Sequence, residues 1–399
     1  LQRNFHLIYK RALMQVPLLD LRPQHEGLRD EIIAAVTNVI DSTRYIMGPE
    51  LERFEEAVAE YSGCKYALGV SSGTDALLLA LMSLNIGQGD KVLVPDFSFF
   101  ATAGVVSRLN AEPVFLEIDP TTFNLCPKHL EEKLVSYTEE ELAQVKAVIP
   151  VHLFGQCADM QAILAVAKQF GIAVVEDAAQ AIGAEYRLNG EARRAGSMCN
   201  VGCMSFFPSK NLGGVGDGGM VTTNDAELHH QLHIKRVHGA EPKYYHKVIG
   251  GNFRMDPIQA CVLRIKLQRL EVWHEQRRQN AAQYNQLLGE AQLEEVVCHA
   301  AVYQDDNLLN HHIYNQYTVR VQRREDLRKF LQERGIATEI YYPVPFHRQE
   351  CFADLGYRPG SLPESDKAAR EVLALPVYPG LTTEMQEYVV ENLTEFYRS

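Results

Sequence analysis

From residue 65 onward, apolar and polar positions alternate between two periods. KYALGV, KVLVP and PVFLEI are short β-rich runs, and SGTDALLLALMSL and FFATAGVVSRL between them carry helical spacing. The alternation continues through KAVIPV, the helical DMQAILAVAKQF and IAVVED, which ends at Asp177. Such a pattern predicts an α/β fold, a mainly parallel sheet wrapped by helices, with chemistry at the carboxyl ends of its strands. VGCMSFF is a further strand, MVTT another, and a helix runs from near Asp225 to about Val237.

A polar helical stretch then begins at Pro257 and extends to about Leu288, with apolar residues along one side. It reads as a bridge. YNQYTVRV, REDLRKFLQERG and IATEIYY beyond it predict a smaller α+β unit. The expected organisation is a large α/β domain over 14–256, a linking helix over 257–288 and a small domain over 289–399. No internal repeat or low-complexity tract interrupts it. Residues 1–13 precede Met14 without the sustained apolar run of a secretory signal, and read as an extension or a cloning remnant.

Composition narrows the function. The chain has 399 residues, 46% hydrophobic and 23% charged, an ordinary folded balance. Its formal charge of -12 speaks against general binding of nucleic-acid phosphates. Eight cysteines without a C-x-x-C pair point to reduced thiols in a cytoplasm rather than a disulfide framework or zinc ribbon. ALLLALMSL, the longest apolar run, is far below the roughly 20 residues that cross a bilayer. Neither a membrane nor a nucleic acid is therefore an expected partner.

The segment FFPSKNLGGVGDGGMVTTND, residues 206–225, poses the central question. Gly214, Gly216 and Gly219 spell the dinucleotide pattern G-x-G-x-x-G, but that fingerprint needs a helix directly after its glycines. Met220 to Thr223 are a β-favouring run instead, so a glycine-rich turn is the better reading. Lys210 then stands out. A free lysine, with a pKa of about 10.4, is almost wholly protonated at neutral pH; a nucleophilic role requires burial, a cationic neighbour or an imine.

Asp177 at a strand end would keep a pyridine nitrogen protonated, with Gln180 three residues on. Ser71, Ser72, Gly73 and Thr74 lie between a strand and a helix and offer a phosphate cradle, to which Ser205 would add a hydroxyl. Taken singly, each has a plain structural reading: a solvated lysine, a helix cap, a turn carboxylate. Together, in this chain order, they point to pyridoxal 5'-phosphate. His229 and His233, at i and i+4 around His230, read as a solvated or dimer-facing helix rather than a metal site; Cys199 and Cys203 read as buried small hydrophobes.

With these residues the chain resembles the DegT/DnrJ/StrS-type sugar aminotransferases, fold-type I enzymes that use pyridoxal phosphate. The matching motifs run from about Val16 onward: YIMGPELERFEE, SSGTDAL, VPDFSFFATA, HLFGQCADM, VVEDAAQAIGA, SFFPSKNLGGVGDGG, KRVHG, GGNFRMDPIQA and YYPVPFH. The resemblance implies a seven-stranded, mainly parallel sheet with a smaller α+β C-terminal domain. It implies Lys210 as the cofactor-bearing lysine and proton carrier, Asp177 on the pyridine nitrogen and Gln180 on the ring oxygen. Phe99 would stack on the cofactor, and Gly73, Thr74 and Ser205 would hold the phosphate.

Asn252 would join them from a second subunit, making a homodimer with its active site at the subunit interface. Arg254 and Tyr342 fall where the family places groups near the substrate. The implied reaction moves an amino group from L-glutamate, through the pyridoxamine phosphate form, to a nucleotide-linked keto sugar for lipopolysaccharide O-antigen or other amino-sugar synthesis. The GDGG of Gly216–Gly219 leans towards a 3-keto sugar, and FFPSK and GQCAD are similar to enzymes acting on UDP-2-acetamido-3-keto-glucuronic acid. A 4-keto substrate and a non-catalytic, cofactor-binding regulator remain the alternatives. Tyr341, where relatives commonly carry histidine, departs from the pattern.

Overall fold

Strands β1 (Tyr66–Val70), β2 (Lys91–Pro95), β3 (Glu112–Leu116), β4 (Val145–Val148) and β5 (Ala173–Asp177) are nearly continuous apolar runs, as strands covered on both faces must be. The computed structural model describes residues 14–399; the 1–13 stretch lies outside them. A short hairpin, β6 (Glu185–Leu188) and β7 (Glu191–Arg194), follows, then β8 (Val201–Ser205) and β9 (Gly219–Thr223). Seven strands form one sheet in the order β1-β9-β8-β5-β4-β2-β3. Only β9 runs against its neighbours, so the carboxyl ends of the other six share one edge.

Helices cover both faces for local reasons. Ser72 caps the helix Gly73–Ser83 by accepting from the Asp75 amide at 3.1 Å, and its apolar run from Ala76 to Leu81 is buried. Asp225 caps the helix Ala226–Arg236 in the same way. Before β1, the helices Arg29–Ser42 and Pro49–Ser62 pack against Pro257–Leu267.

The stretch anticipated as one linking helix is two, Pro257–Leu267 and Leu270–Ala291. Their surroundings explain the break. The first is buried on most sides, including Cys261, Val262 and Ile265, while the second follows a longer seam. Leu270 and Trp273 at its start belong to the core below the large sheet; Ala281, Tyr284 and Leu288 at its end belong to the core of a small antiparallel sheet. That sheet orders β10 (Val296–Cys298), β11 (Tyr317–Val321) and β12 (Val372–Leu375), covered by the helix Thr383–Arg398.

A boundary at residue 14 assigns Val16 to the large domain, but the structure places it elsewhere. Val16 is fully buried in the small-sheet core; its amide donates to Gly335 O at 2.9 Å and its carbonyl accepts from the Ala337 amide at 3.0 Å. An isolated pairing of this kind carries no periodic signal. The hairpin β6–β7 was likewise not anticipated, because EYRL and EARR are short and polar.

Edge strand β1 is braced from behind by a buried ion pair. Arg236, 1% exposed, donates Nη1 to Glu55 Oε1 and, at 3.0 Å, to Gly69 O, while the Gly69 amide donates to Glu55 Oε1 at 2.8 Å. Burial pushes the Glu55 carboxyl up and Arg236 holds it down. Arg236→Met should cost about 3 kcal/mol, since it strands a buried carboxylate. Adding Glu55→Gln should restore part of that loss. Denaturant midpoints of the two variants check both expectations.

Candidate active site

Because β5 and β8 are parallel neighbours, their ends place Asp177 and Ser205 on the same edge of the sheet. The chain leaving β8 turns sharply: the Lys210 amide donates to Phe207 O and the Gly214 amide to Phe206 O, both at 2.8 Å. Glycines make this turn possible. A Cβ on Gly213 would sit 2.2 Å from Pro208 O, and one on Gly219 would sit 2.4 Å from Ser72 O. Gly214 and Gly216 are pressed equally closely onto the Gln259 amide. The strand β9 begins at Gly219 itself, where the dinucleotide fingerprint needs a helix, so the glycines serve close packing.

Asp177 is buried. Its Oδ2 accepts from Thr102 Oγ1 at 2.9 Å and its Oδ1 from the Ala179 amide at 3.2 Å. Burial raises its pKa, against the pull of Thr102, Ala179, Lys210 and His152. Among the described residues no cation lies within ion-pair distance of it. Lys210 is only partly buried, yet surrounding protein strips enough water to draw its pKa down to about 8, with the Asp177 charge resisting. An amine that gives up its proton more readily than an ordinary lysine therefore lies within electrostatic reach of a buried carboxyl that has no ion-pair partner among the described residues.

Gln180 ties two further elements to this edge. Its Oε1 accepts from the Phe154 amide at 2.7 Å and its Nε2 donates to Tyr342 Oη at 2.9 Å. Burial raises the pKa of Tyr342, so the phenol stays protonated. Phe99, 57% exposed, lies with its ring centroid 6.3 Å from that of Tyr342 and presents an open aromatic face.

Gly73 meets Ser205 at the start of the Gly73–Ser83 helix: a Cβ on Gly73 would lie 2.6 Å from Ser205 Cβ. Thr74 follows, half-buried, in the first turn. Ser71 and Ser72 turn inward instead, Ser71 Oγ donating to Asp75 Oδ2 at 2.6 Å. The 252–254 segment runs beside β1: Arg254 bridges Val70, and Phe253 O accepts from the Ser71 amide at 2.9 Å. Asn252 is exposed there, and Arg254 Nε is buried without a hydrogen-bond partner.

Thr102 and Phe154 were not singled out from sequence. A hydroxyl within the apolar FFATAGVV was the available signal for Thr102; Phe154 acts through its backbone, which leaves none. His229 stacks on Tyr66 with centroids 4.3 Å apart, and His230 Nε2 lies 3.3 Å from Glu241. Among the described residues no cluster of three or more His, Cys, Asp or Glu is arranged to hold a metal. Cys203 is buried, whereas Cys199 is half-buried and donates its thiol to Val201 O.

The donor set fits pyridoxal phosphate. A buried carboxylate lacking a cation suits a protonated ring nitrogen, and the helix start beside Ser205 suits a phosphate, whose charge the first-turn amides favour.

Sequence and structure comparisons place the whole chain among known proteins. The model of the DegT/DnrJ/EryC1/StrS aminotransferase family matches residues 26–394. A pleiotropic regulatory protein of Geobacillus stearothermophilus is 48% identical over 96% of this chain and 99% of its own. The UDP-2-acetamido-2-deoxy-3-oxo-D-glucuronate aminotransferase of Pseudomonas aeruginosa is 38% identical over 95% of this chain and 99% of its own. The crystal structure of S. venezuelae DesV in complex with a ketimine intermediate superposes with a TM-score of 0.89, 41% identity and coverage of 96% of this chain and 99% of that one.

Asp177 raises the Lys210 pKa, so Asp177→Asn should lower it further below about 8. In the cofactor-free protein, Lys210 should then acylate at lower pH than in the parent. Peptide mapping after labelling across a pH series measures this, and an unmoved or raised midpoint would contradict the coupling.

Proposed function

The chain belongs to the DegT/DnrJ/EryC1/StrS aminotransferase family, and from that premise we propose that it is a pyridoxal phosphate-dependent transaminase carrying an amino group from L-glutamate to a nucleotide-linked keto sugar. The carrying observation is that parallel β5 and β8 bring the buried Asp177 carboxyl and the desolvated Lys210 amine to one edge of the sheet. When bound, pyridoxal phosphate supplies an aldehyde for amine exchange and a ring that accepts electrons.

In this reading Lys210 would hold the cofactor, and its Nζ would move the substrate proton. A pKa near 8 suits that work, because the amine can give and take a proton near neutral pH. Asp177 holds a positive charge at the ring nitrogen, with Thr102 fixing its orientation. Gln180, held by the Phe154 amide and Tyr342, would meet the ring oxygen, and Phe99 would stack on the ring. Gly73, Thr74 and Ser205 hold the phosphate, and Asn252 reaches it from the second subunit of a homodimer. Phe99 and Asn252 are exposed in the single chain, which is consistent with a site completed by a partner.

We assign the acceptor as a 3-keto sugar, with UDP-2-acetamido-3-keto-glucuronic acid foremost. The GDGG sequence and the Pseudomonas aeruginosa relative support it, and the Arg254 guanidinium would meet the sugar carboxylate. A second reading, a cofactor-binding regulator, draws on the regulatory name of the Geobacillus stearothermophilus relative.

Protein supplied with pyridoxal phosphate should turn yellow, and borohydride should fix the label on Lys210. Glutamate should bleach the colour in the parent, while Lys210→Ala should neither be labelled nor turn over. Among UDP- and dTDP-linked 3-keto and 4-keto sugars, the 3-keto glucuronate should restore the colour fastest. Colour that ignores glutamate would favour the regulator, and preference for a 4-keto sugar would displace the assigned acceptor.

A further inference from the structure

Two segments far apart in sequence form the aromatic side of the Lys210 site. One leaves β2 as Asp96–Phe99; the other, Tyr342–His347, comes from the C-terminal third. Their contact is mostly apolar: the Phe97 and Tyr342 centroids lie 5.9 Å apart. Apolar contacts alone permit sliding, because they fix no direction. The polar contacts beneath them do fix it.

Asp96 is fully buried and makes three bonds to the other segment. Its carbonyl accepts from the Phe346 amide at 2.9 Å, and its Oδ1 accepts from the His347 amide at 2.7 Å. Its Oδ2 lies 2.6 Å from His347 Nδ1. On the far side, His347 Nε2 lies 3.5 Å from Asp366 Oδ1, and Asp366 Oδ2 accepts from Arg348 Nη2 at 2.7 Å. Asp366 sits on the helix Pro363–Glu371, which leads straight into β12 of the small sheet. His347 thus joins the end of a large-sheet strand to the small-sheet side of the molecule, five residues from Tyr342.

We propose that His347 is a positioning residue: held by Asp96 and facing Asp366, it sets Tyr342 against Gln180 and Phe99 and so fixes the aromatic wall of the site. This rests on the transaminase reading and adds a residue that touches neither substrate nor cofactor. A buried carboxylate whose pKa burial raises and His347 lowers has strong reason to keep that partner in place. Among the described residues the Tyr342 hydroxyl has one hydrogen-bond partner, Gln180, so a shift of the segment would move both.

The test compares His347→Leu with His347→Asn, whose amide occupies the Nδ1 position and can still donate to Asp96. In holoprotein, His347→Leu should keep the borohydride label on Lys210 yet slow bleaching by glutamate roughly 10–100-fold, as misplacement near a reacting centre does. His347→Asn should regain most of that rate. In the cofactor-free proteins, amide exchange at Phe346 and His347 should be faster in the leucine variant and close to the parent in the asparagine variant.

Bleaching at the parental rate in labelled His347→Leu, whatever its melting temperature, would overturn the proposal. If that variant is not recovered folded, Asp96→Asn is measured with the same two outcomes. A parent protein that takes no label on Lys210 would overturn the transaminase reading and this inference together, whereas a failure confined to the variants sinks only the latter.

Discussion

Charge placed where water is scarce governs this molecule's chemistry. Asp177 ends β5 under the first turn of the Ala101–Arg108 helix, and Lys210 follows β8, its parallel neighbour. Neither group holds its ordinary proton affinity: burial raises the carboxyl and lowers the amine. The two shifts run in opposite senses, so each group depends on the other and on any cation brought between them. A ligand carrying a ring cation and an electrophilic carbon would relieve both at once. Sheet order sets this up, because parallel β5 and β8 must end on the same edge.

Around that pair the surrounding elements act chiefly as spacers. Thr102 and the Ala179 amide orient Asp177; the Phe154 amide and Tyr342 orient Gln180. Two glycines after Lys210, Gly213 and Gly219, bring backbone against Pro208 and Ser72 at distances no side chain would allow. One of them, Gly219, therefore couples the lysine turn to the proposed phosphate site. Fully buried Lys266 adds to the same turn from below, donating Nζ to Gly213 O.

Much of the large sheet was legible because its strands are apolar runs of ordinary length separated by helices of clear period. The candidate site was legible where a proposed group sits on its own strand end or turn, as with Asp177, Gln180, Lys210 and the Gly73 turn. What escaped depends on contacts without local pattern. Thr102 is one hydroxyl among apolar residues, the hairpin β6–β7 is polar, and the break at Gln268 and Arg269 lacks glycine or proline. The role of Asp96 was hidden in the same way, since its partner His347 lies about 250 residues later in the chain.

Val16 carries a topological consequence. By bridging Ile336 it sews the start of the described chain into the core that the last helix, Thr383–Arg398, also closes. The C-terminal third is thus not a detachable module: excised at residue 289 it would lose both this stitch and the end of the Leu270–Ala291 helix. On the ribosome, residues near 16 must wait for more than 300 others before their final neighbours emerge. Chain closure is accordingly a late, long-range event in the assembly of this protein.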